Sequence, residues 1–264
     1  MRTLQFLSLL LALVFTACGD SATRTADTND AAPPRTVDPT PARPVVKMTP
    51  VFHAAVVLEY DGKTIYVDPY DKPAKFAGFP APDVVAITHT HPDHFNTEVL
   101  GSLDLTNATL IGPAAVTEKA ADMGFAKIVT LANGESTAMG DISVKAIGAY
   151  NLPPAEDAFH PPGKFNGYVI SLGGERYYFS GDTEDVDEMR ALTDIDYAFV
   201  CMNLPYTMEM DAAADAVLEF KPRVVYPYHY RNKDGSFMDT EKFAEMVRAG
   251  DKSIEVRTED WYGE

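Results

Sequence analysis

The chain has 264 residues, of which 46% are hydrophobic, so it can bury one substantial core. Its formal net charge is −17 at pH 7. Because a surface this acidic repels phosphate backbones, the composition disfavours nucleic-acid binding, and some of the acidic side chains are expected to serve a cation.

Residues 1–17 predict a secretory signal. One arginine, Arg2, precedes an apolar run from Leu4 to Phe15 that is too short to span a membrane comfortably as a mature helix. The run is followed by "TAC", and "FTAC" resembles the lipobox of bacterial lipoproteins, in which the cysteine becomes the lipidated first residue. This resemblance implies a lipid anchor on Cys18 and a location in the bacterial cell envelope, facing the periplasm or the cell surface. The alternative is an ordinary secretory signal that contains a cysteine by chance.

Residues 18–47 predict a disordered tether, since they have no aromatic side chain and five prolines. The tether holds four acids and four bases, and Arg2 is the only charge before it, so residues 48–264 carry about −18. With Cys18 acylated, Cys201 is the only thiol that remains, which excludes an intramolecular disulfide. Its apolar surroundings predict a small core residue, with metal ligation as the alternative.

From Met48 onward, short β-branched runs alternate with helical patterns, which predicts an α/β domain over residues 48–264. The predicted strands are 54–60, 63–69, 83–89, 108–112, 142–150, 167–172, 176–182, 196–203 and 223–229. The predicted helices begin after Asn96 and cover 113–124, 185–193, 210–220 and 239–250. A faint repeat relates residues 61–68 to 173–180, each followed by another strand. It predicts two related halves, whose sheets pack face to face with helices outside.

The stretch "HTHPDH" at 89–94 places three of the six histidines and an aspartate directly after a predicted strand. Neutral imidazoles and carboxylates bind zinc and similar ions, and alternate residues of a tight loop can point several donors inward. Four donors this close together indicate two metal ions, with further ligands from elsewhere in the chain. The whole predicted ligand set is His89, His91, Asp93, His94, His160, Asp182 and His229.

These motifs resemble those of the metallo-β-lactamase fold superfamily. "THTHPDH" is its HxHxDH signature, and "DP" at Asp68, His160, "SGDT" at Asp182 and His229 match its other motifs in order. The resemblance covers nearly all of residues 48–264 and implies a four-layer αββα sandwich with two related halves. It also implies a ligand assignment, with Asp182 bridging two metals. The first metal is assigned to His89, His91 and His160, and the second to Asp93, His94 and His229.

Within the superfamily, "AYN", "NGYVI" and "GDTEDVDEM" resemble the branch of Zn-dependent hydrolases related to ascorbate phosphate lactonases. N-acylphosphatidylethanolamine phospholipase D has a broadly similar pattern. Class B β-lactamases of the best-known type place a cysteine where the order here gives Asp182, so penicillin hydrolysis is not expected. The resemblance implies a hydrolase that uses a metal-bridging hydroxide on a small lactone, ester, amide or phosphodiester.

Other residues have two interpretations each. Asp68 is implied to hold a ligand imidazole, or it caps the turn before Pro69. Asp93 is expected to assist proton transfer while it remains a ligand. His53 lines the cleft or donates to a substrate oxygen, or it is a structural histidine. Four residues next to the motifs are expected to shape the substrate pocket: Tyr150, Asn151, Tyr206 and Thr207.

Histidine and aspartate suit several ions, so zinc is the first expectation, with manganese or iron as alternatives.

Two other functions fit parts of the pattern. A non-catalytic surface lipoprotein that binds metal on a hydrolase scaffold predicts a missing ligand, and all seven are present. An oxidoreductase that uses iron in the same site is the third hypothesis.

Overall fold

The computed structural model describes residues 45–263, which form 13 strands and five α-helices. The predicted signal, the anchor residue Cys18 and most of the predicted tether lie outside these residues. Lys47, the last residue of the predicted tether, is the first residue of strand β1. The strands are β1 (Lys47–Phe52), β2 (Ala55–Tyr60), β3 (Lys63–Val67), β4 (Val84–Ala86), β5 (Thr109–Gly112), β6 (Lys127–Thr130), β7 (Ser136–Met139), β8 (Ile142–Ala149), β9 (Phe165–Leu172), β10 (Glu175–Phe179), β11 (Tyr197–Cys201), β12 (Val224–Tyr228) and β13 (Glu255–Val256). The helices are α1 (Thr97–Ser102), α2 (Ala114–Lys119), α3 (Asp187–Arg190), α4 (Met210–Phe220) and α5 (Thr240–Gly250).

Two sheets contain all of these strands. The first has the order β1-β2-β3-β4-β5-β6, and the second has the order β13-β12-β11-β10-β9-β8-β7. In the first sheet β1, β2 and β3 pair antiparallel, and β3 to β6 pair parallel. In the second sheet β8, β9 and β10 pair antiparallel, and β10 to β13 pair parallel. The two halves therefore repeat one pairing scheme, as the similarity between residues 61–68 and 173–180 predicts, and β7 is an addition to the second half.

The cores divide the molecule into layers. Side chains alternate along β2, because successive residues of a strand point to opposite faces. Val56 and Leu58 join the larger core, which contains the second sheet and residues of α3 to α5. Val57 joins a smaller core with Val99 of α1 and Val116 of α2. The predicted α/β class and its two sheets with few helices are thus confirmed.

The two sheets are also joined by a polar contact near the ligand loop. The hydroxyl of Tyr168 in β9 donates to the carbonyl of Ile87, just after β4, over 2.8 Å. On the other face of the second sheet, the Tyr178 ring contacts Phe220 of α4 with ring centroids 5.9 Å apart. Among the described residues, no helix is both long enough and apolar enough to cross a bilayer.

Cys201 ends β11 inside the larger core and is fully buried. Burial, together with the nearby Asp182 carboxylate, raises the pKa of its thiol to about 11, so the thiol stays protonated at neutral pH. The groups of metal-ligand type within residues 45–263 do not include it. The prediction of a small core residue is therefore confirmed.

Candidate metal centre

The predicted ligands meet where parallel strands of both sheets end. In the first sheet, β3 leads to Asp68 and β4 leads to the loop that contains His89–His94. In the second sheet, β10 leads to Asp182 and β12 leads to His229. His160 lies in the loop between β8 and β9. Because the carboxyl ends of parallel strands lie at one edge of a sheet, each sheet presents its donors at a single edge.

The first ligand group consists of His89, His91, His160 and Asp182, whose donor atoms all lie within 4.8 Å of one another. Oδ2 of Asp182 lies 3.4 Å from His160 Nε2 and 3.9 Å from His89 Nε2. His91 completes the group, with its Nδ1 3.1 Å from His89 Nε2. Three imidazoles and one carboxylate suit zinc and related divalent ions.

The second ligand group consists of His94, Asp182 and His229. Here Asp182 uses its other oxygen, Oδ1, which lies 3.2 Å from His94 Nε2 and 3.3 Å from His229 Nε2. Asp93 lies beside this group, with Oδ2 3.5 Å from His229 Nε2. One carboxylate thus faces both groups, one oxygen to each.

The donor atoms themselves indicate that a cation belongs here. His160 Nε2 and Asp182 Oδ1 are buried and have no hydrogen-bond partner among the described residues. Buried polar atoms almost always have a partner, so such atoms call for an explanation such as an ion. His229 Nε2 and His94 Nε2 lie only 3.0 Å apart, and a divalent ion between or beside them would use both lone pairs.

Protonation states fit the same conclusion. Burial and the neighbouring His94 lower the pKa of His89 well below its usual value, so His89 is neutral and able to bind a metal. Burial acts to raise the pKa of Asp182, but His229 and His94 hold it well below its usual value. Although burial opposes it, the Asp182 and Asp68 carboxylates raise the pKa of His94 well above normal. A metal ion bound at the second ligand group would therefore need His94 in its neutral form.

Asp68 holds one ligand imidazole in place. Its carboxylate is completely buried and accepts from His94 Nδ1 over 2.8 Å, which leaves His94 Nε2 directed at Asp182. It also accepts from the backbone N and the hydroxyl of Thr88, over 2.8 Å and 2.7 Å. Of the two interpretations of Asp68, the contact with a ligand imidazole is the one that the structure shows.

Two further residues fix ligand tautomers. The Thr88 hydroxyl donates its only proton to Asp68, so it accepts from His89 Nδ1 over 2.9 Å and leaves His89 Nε2 unprotonated. Asn151 Oδ1 accepts from the backbone N and Nδ1 of His160, over 2.8 Å and 3.2 Å. Such partners orient ligand rings and raise their basicity. No role for Thr88 is predicted from the sequence, although its place directly before His89 is a signal for one.

His53 lies inside the centre, between the side chains of Asp93 and Tyr262. Its Nε2 lies 3.2 Å from Asp93 Oδ2, and its Nδ1 lies 2.8 Å from the Tyr262 hydroxyl. Burial and His229 lower the pKa of His53 to about 3, so the ring is neutral. A carboxylate only accepts hydrogen bonds, so Nε2 carries the proton and Tyr262 donates to Nδ1. His53 therefore lines the cleft and holds Asp93.

The backbone at the centre is held in an uncommon conformation. His53, Asp68 and His229 have φ values of 58°, 43° and 49°, in the left-handed region that non-glycine residues rarely occupy. His229 N donates to the His53 carbonyl over 3.1 Å, which joins two of these residues directly. Such conformations cost about 1–3 kcal/mol each and cluster at functional sites.

Gly181 allows the close approach that places Asp182. It has a φ of 59°, and a Cβ there would lie 2.9 Å from the Asn166 carbonyl and 3.0 Å from Thr88 Cβ. Any side chain at this position would push against Thr88, which holds the ligand loop.

A cavity of about 720 Å³ opens over the two ligand groups. Tyr206 lines it, as predicted, but three predicted pocket residues do not. Asn151 is turned toward His160, and the Tyr150 hydroxyl donates to Glu188 over 2.9 Å. The Thr207 hydroxyl donates to the side-chain oxygen of Asn203. These residues neighbour the motifs in sequence, but their side chains are used inside the fold. Lining residues that sequence reasoning missed are Tyr70, Phe159, Asn203, Arg231, Lys233 and Phe237.

Comparison with known proteins agrees with this geometry. The family described as beta-lactamase superfamily domain matches residues 47–229. A UPF0173 metal-dependent hydrolase from Anaeromyxobacter sp. (strain K) is 30% identical over 240 residues, which cover 83% of this chain and 86% of that protein. The predicted superfamily is confirmed, and the link to ascorbate phosphate lactonases stays a prediction.

Solved structures show the same architecture. A structure from Parabacteroides distasonis, described as a metal-dependent hydrolase, is 33% identical with a TM-score of 0.69 and covers 81% of this chain and 93% of its own. CmlA, a diiron beta-hydroxylase from Streptomyces venezuelae, has a TM-score of 0.64 at 18% identity, covers 84% of this chain and 54% of its own, and shares the fold. The chain therefore belongs to the beta-lactamase superfamily and, within it, to the UPF0173 metal-dependent hydrolases.

Proposed function

We propose that this protein is a binuclear metal-dependent hydrolase that cleaves a small lactone, ester, amide or phosphodiester. The observation that carries the proposal is Asp182, whose two carboxylate oxygens face two separate groups of histidines. A family of metal-dependent hydrolases, to which the chain belongs, supports the reaction type.

In this proposal the first ligand group holds one ion, and the second ligand group with Asp93 holds the other. Divalent ions bound there would lower the pKa of a water molecule and polarise the oxygen of the bond under attack. Zinc is the first choice for this donor set, with manganese or iron as alternatives.

The chain's own residues then have distinct tasks. Asp93 faces the cavity with a side chain 35% exposed, where it assists proton transfer while it remains a ligand. Although burial acts to raise it, the neighbouring His229 and His53 side chains lower the pKa of Asp93, so its carboxylate is ionised at neutral pH. Asp68, Thr88 and Asn151 keep the ligand imidazoles oriented.

The test is hydrolysis by metal-reconstituted protein of a panel of chromogenic lactones, esters, amides, phosphodiesters and β-lactams. We expect at least one of the first four classes to be cleaved, and the β-lactams to be left intact. If metal-replete protein cleaves none of them, the non-catalytic metal-binding hypothesis replaces this one. Metal analysis of protein purified without added metal separates zinc or manganese from iron.

We also propose that the mature chain is anchored in the bacterial envelope through Cys18. The support is the apolar run, the "FTAC" motif and the polar residues that follow it. Mass spectrometry of the mature N-terminus is expected to find acyl groups on Cys18. A mature chain that begins at another residue, with no acyl group, would refute the anchor.

A further inference from the structure

Two basic side chains stand at the cavity of this acidic protein. Arg231 and Lys233 follow the ligand His229 by two and four residues, and both line the cavity above the ligand groups. The whole chain has a net charge of −17, so a pair of cations beside the two acids of this cavity stands out from the acidic composition of the chain.

Seven of the sixteen other basic side chains within residues 45–263 are paired with acids. Arg190 contacts three carboxylates, Arg223 contacts two, and Lys63 contacts Asp83. Arg231 and Lys233 have no ion pair within residues 45–263. Their charges are therefore directed to the cavity and solvent rather than to a carboxylate of the fold.

The nearest acid in sequence does not neutralise them. Asp234 Oδ1 accepts from the backbone N of Ser236 over 3.0 Å and from its hydroxyl over 2.6 Å. These bonds lower the pKa of Asp234 and hold its carboxylate in a turn of its own. The acids that line the cavity are Asp93 and Asp182, and both face the candidate metal centre.

Arg231 is held in place before any ligand arrives. Its guanidinium carbon lies 5.3 Å from the ring centre of Tyr262 and 5.9 Å from that of Phe52, and its backbone N donates to the Tyr262 hydroxyl over 3.2 Å. Stacking on aromatic faces restricts a guanidinium but leaves its N–H groups free to donate.

The loop that carries both cations is tied to its surroundings. Asn232 Oδ1 accepts from Leu204 N over 2.9 Å, and Lys233 N donates to Leu204 O over 3.0 Å. The backbones of Arg231 and Phe237 also form an antiparallel β-bridge across the loop. Arg231 is therefore preorganised, and the backbone that carries Lys233 is fixed, so the loop loses little entropy when it binds an anion.

We infer that the substrate carries an anionic group, a carboxylate or a phosphate, which Arg231 and Lys233 bind while the scissile bond lies over the two ligand groups. Arg231 supplies a planar fork of donors, and Lys233 supplies a mobile second charge at the rim. The inference rests on the proposed function, since it specifies the substrate of the same hydrolytic site.

The experiment uses two matched esters, the p-nitrophenyl esters of succinate, which carries a free carboxylate, and of butyrate, which is neutral. Metal-loaded wild type is compared with Arg231→Gln, Lys233→Gln and Lys242→Gln. Lys242 is exposed on α5, so Lys242→Gln removes the same charge away from the cavity. We expect the ratio of kcat/KM for the anionic to the neutral ester to fall about tenfold or more in Arg231→Gln, less in Lys233→Gln, and not in Lys242→Gln. Added salt should lower the wild-type ratio.

A wild type that prefers the neutral ester, or a ratio that falls equally in all three variants, would overturn the subsite and leave the hydrolase proposal intact. If neither ester is cleaved, the binding measurement by calorimetry decides the subsite, and the hydrolase proposal is judged on the full panel of lactones, esters, amides and phosphodiesters. Calorimetry then tests the subsite without turnover, with inorganic phosphate and butanedioate as probes of the metal-loaded protein. At least one probe should bind about tenfold more weakly to Arg231→Gln than to Lys242→Gln. The probe that loses affinity identifies the anionic group of the substrate as a phosphate or a carboxylate. Equal affinities of both variants for both probes would overturn the inference.

Discussion

Asp182→Ala is expected to lower hydrolysis by about 100-fold or more, since Lewis-acid stabilisation worth several kcal/mol depends on the ions that this residue helps to hold. Asp182 is the one residue shared by the first and second ligand groups. Without it, three histidines of the first group and two of the second face each other with no carboxylate between them. Bound metal should therefore fall together with activity.

Asp182→Asn provides the second variant, because it keeps the shape of the side chain and removes the charge. Asp122→Ala removes an exposed carboxylate after α2 and serves as the control for net charge. Circular dichroism of each variant checks the fold. Full metal content and full activity in both Asp182 variants would show that this carboxylate does not bridge two ions.

Chelation of the metal is expected to abolish hydrolysis and to lower the thermal midpoint by about 5–10 °C. An ion that binds only the folded chain contributes about 2.7 kcal/mol at 100 times its dissociation constant, and about 2–4 °C follows from each kcal/mol in a chain of this size. The physical reason is the burial of Asp182 and His94, whose donor atoms lose a partner when the ion leaves.

The measurement is differential scanning calorimetry before and after chelation, with metal content determined on the same samples. Adding zinc back should restore both the midpoint and the activity, which separates loss of the ion from damage by the chelator. Hydrolysis that persists in protein verified as metal-free would contradict the role of the ligand groups.

The strands that the sequence predicts are the nine inner strands of the two sheets. The four that it misses, β1, β6, β7 and β13, are the four edges. Inner strands are apolar on both faces, so they form continuous hydrophobic runs. Edge strands are half exposed, as the mixed burial of the side chains in β1 and β6 shows. An edge strand is defined by pairing with its one neighbour strand, and the local sequence pattern does not show that pairing.

The candidate ligands were predictable because their residue types and order are chemically distinctive. Their supports were not, because they depend on contacts between distant segments. Tyr262 reaches His53 across 209 positions, and Asn151 is turned to His160 rather than to the cavity. Arg231 is not predictable in the same way, because a single arginine in a sequence does not show that its charge faces a cavity.

Determination of metal per chain in metal-replete wild type tests the central claim most directly. Inductively coupled plasma mass spectrometry after removal of free metal, referred to protein concentration from amino-acid analysis, gives the ratio. The two ligand groups joined by Asp182 predict two ions per chain. One ion or fewer per chain in the replete protein would contradict the binuclear centre.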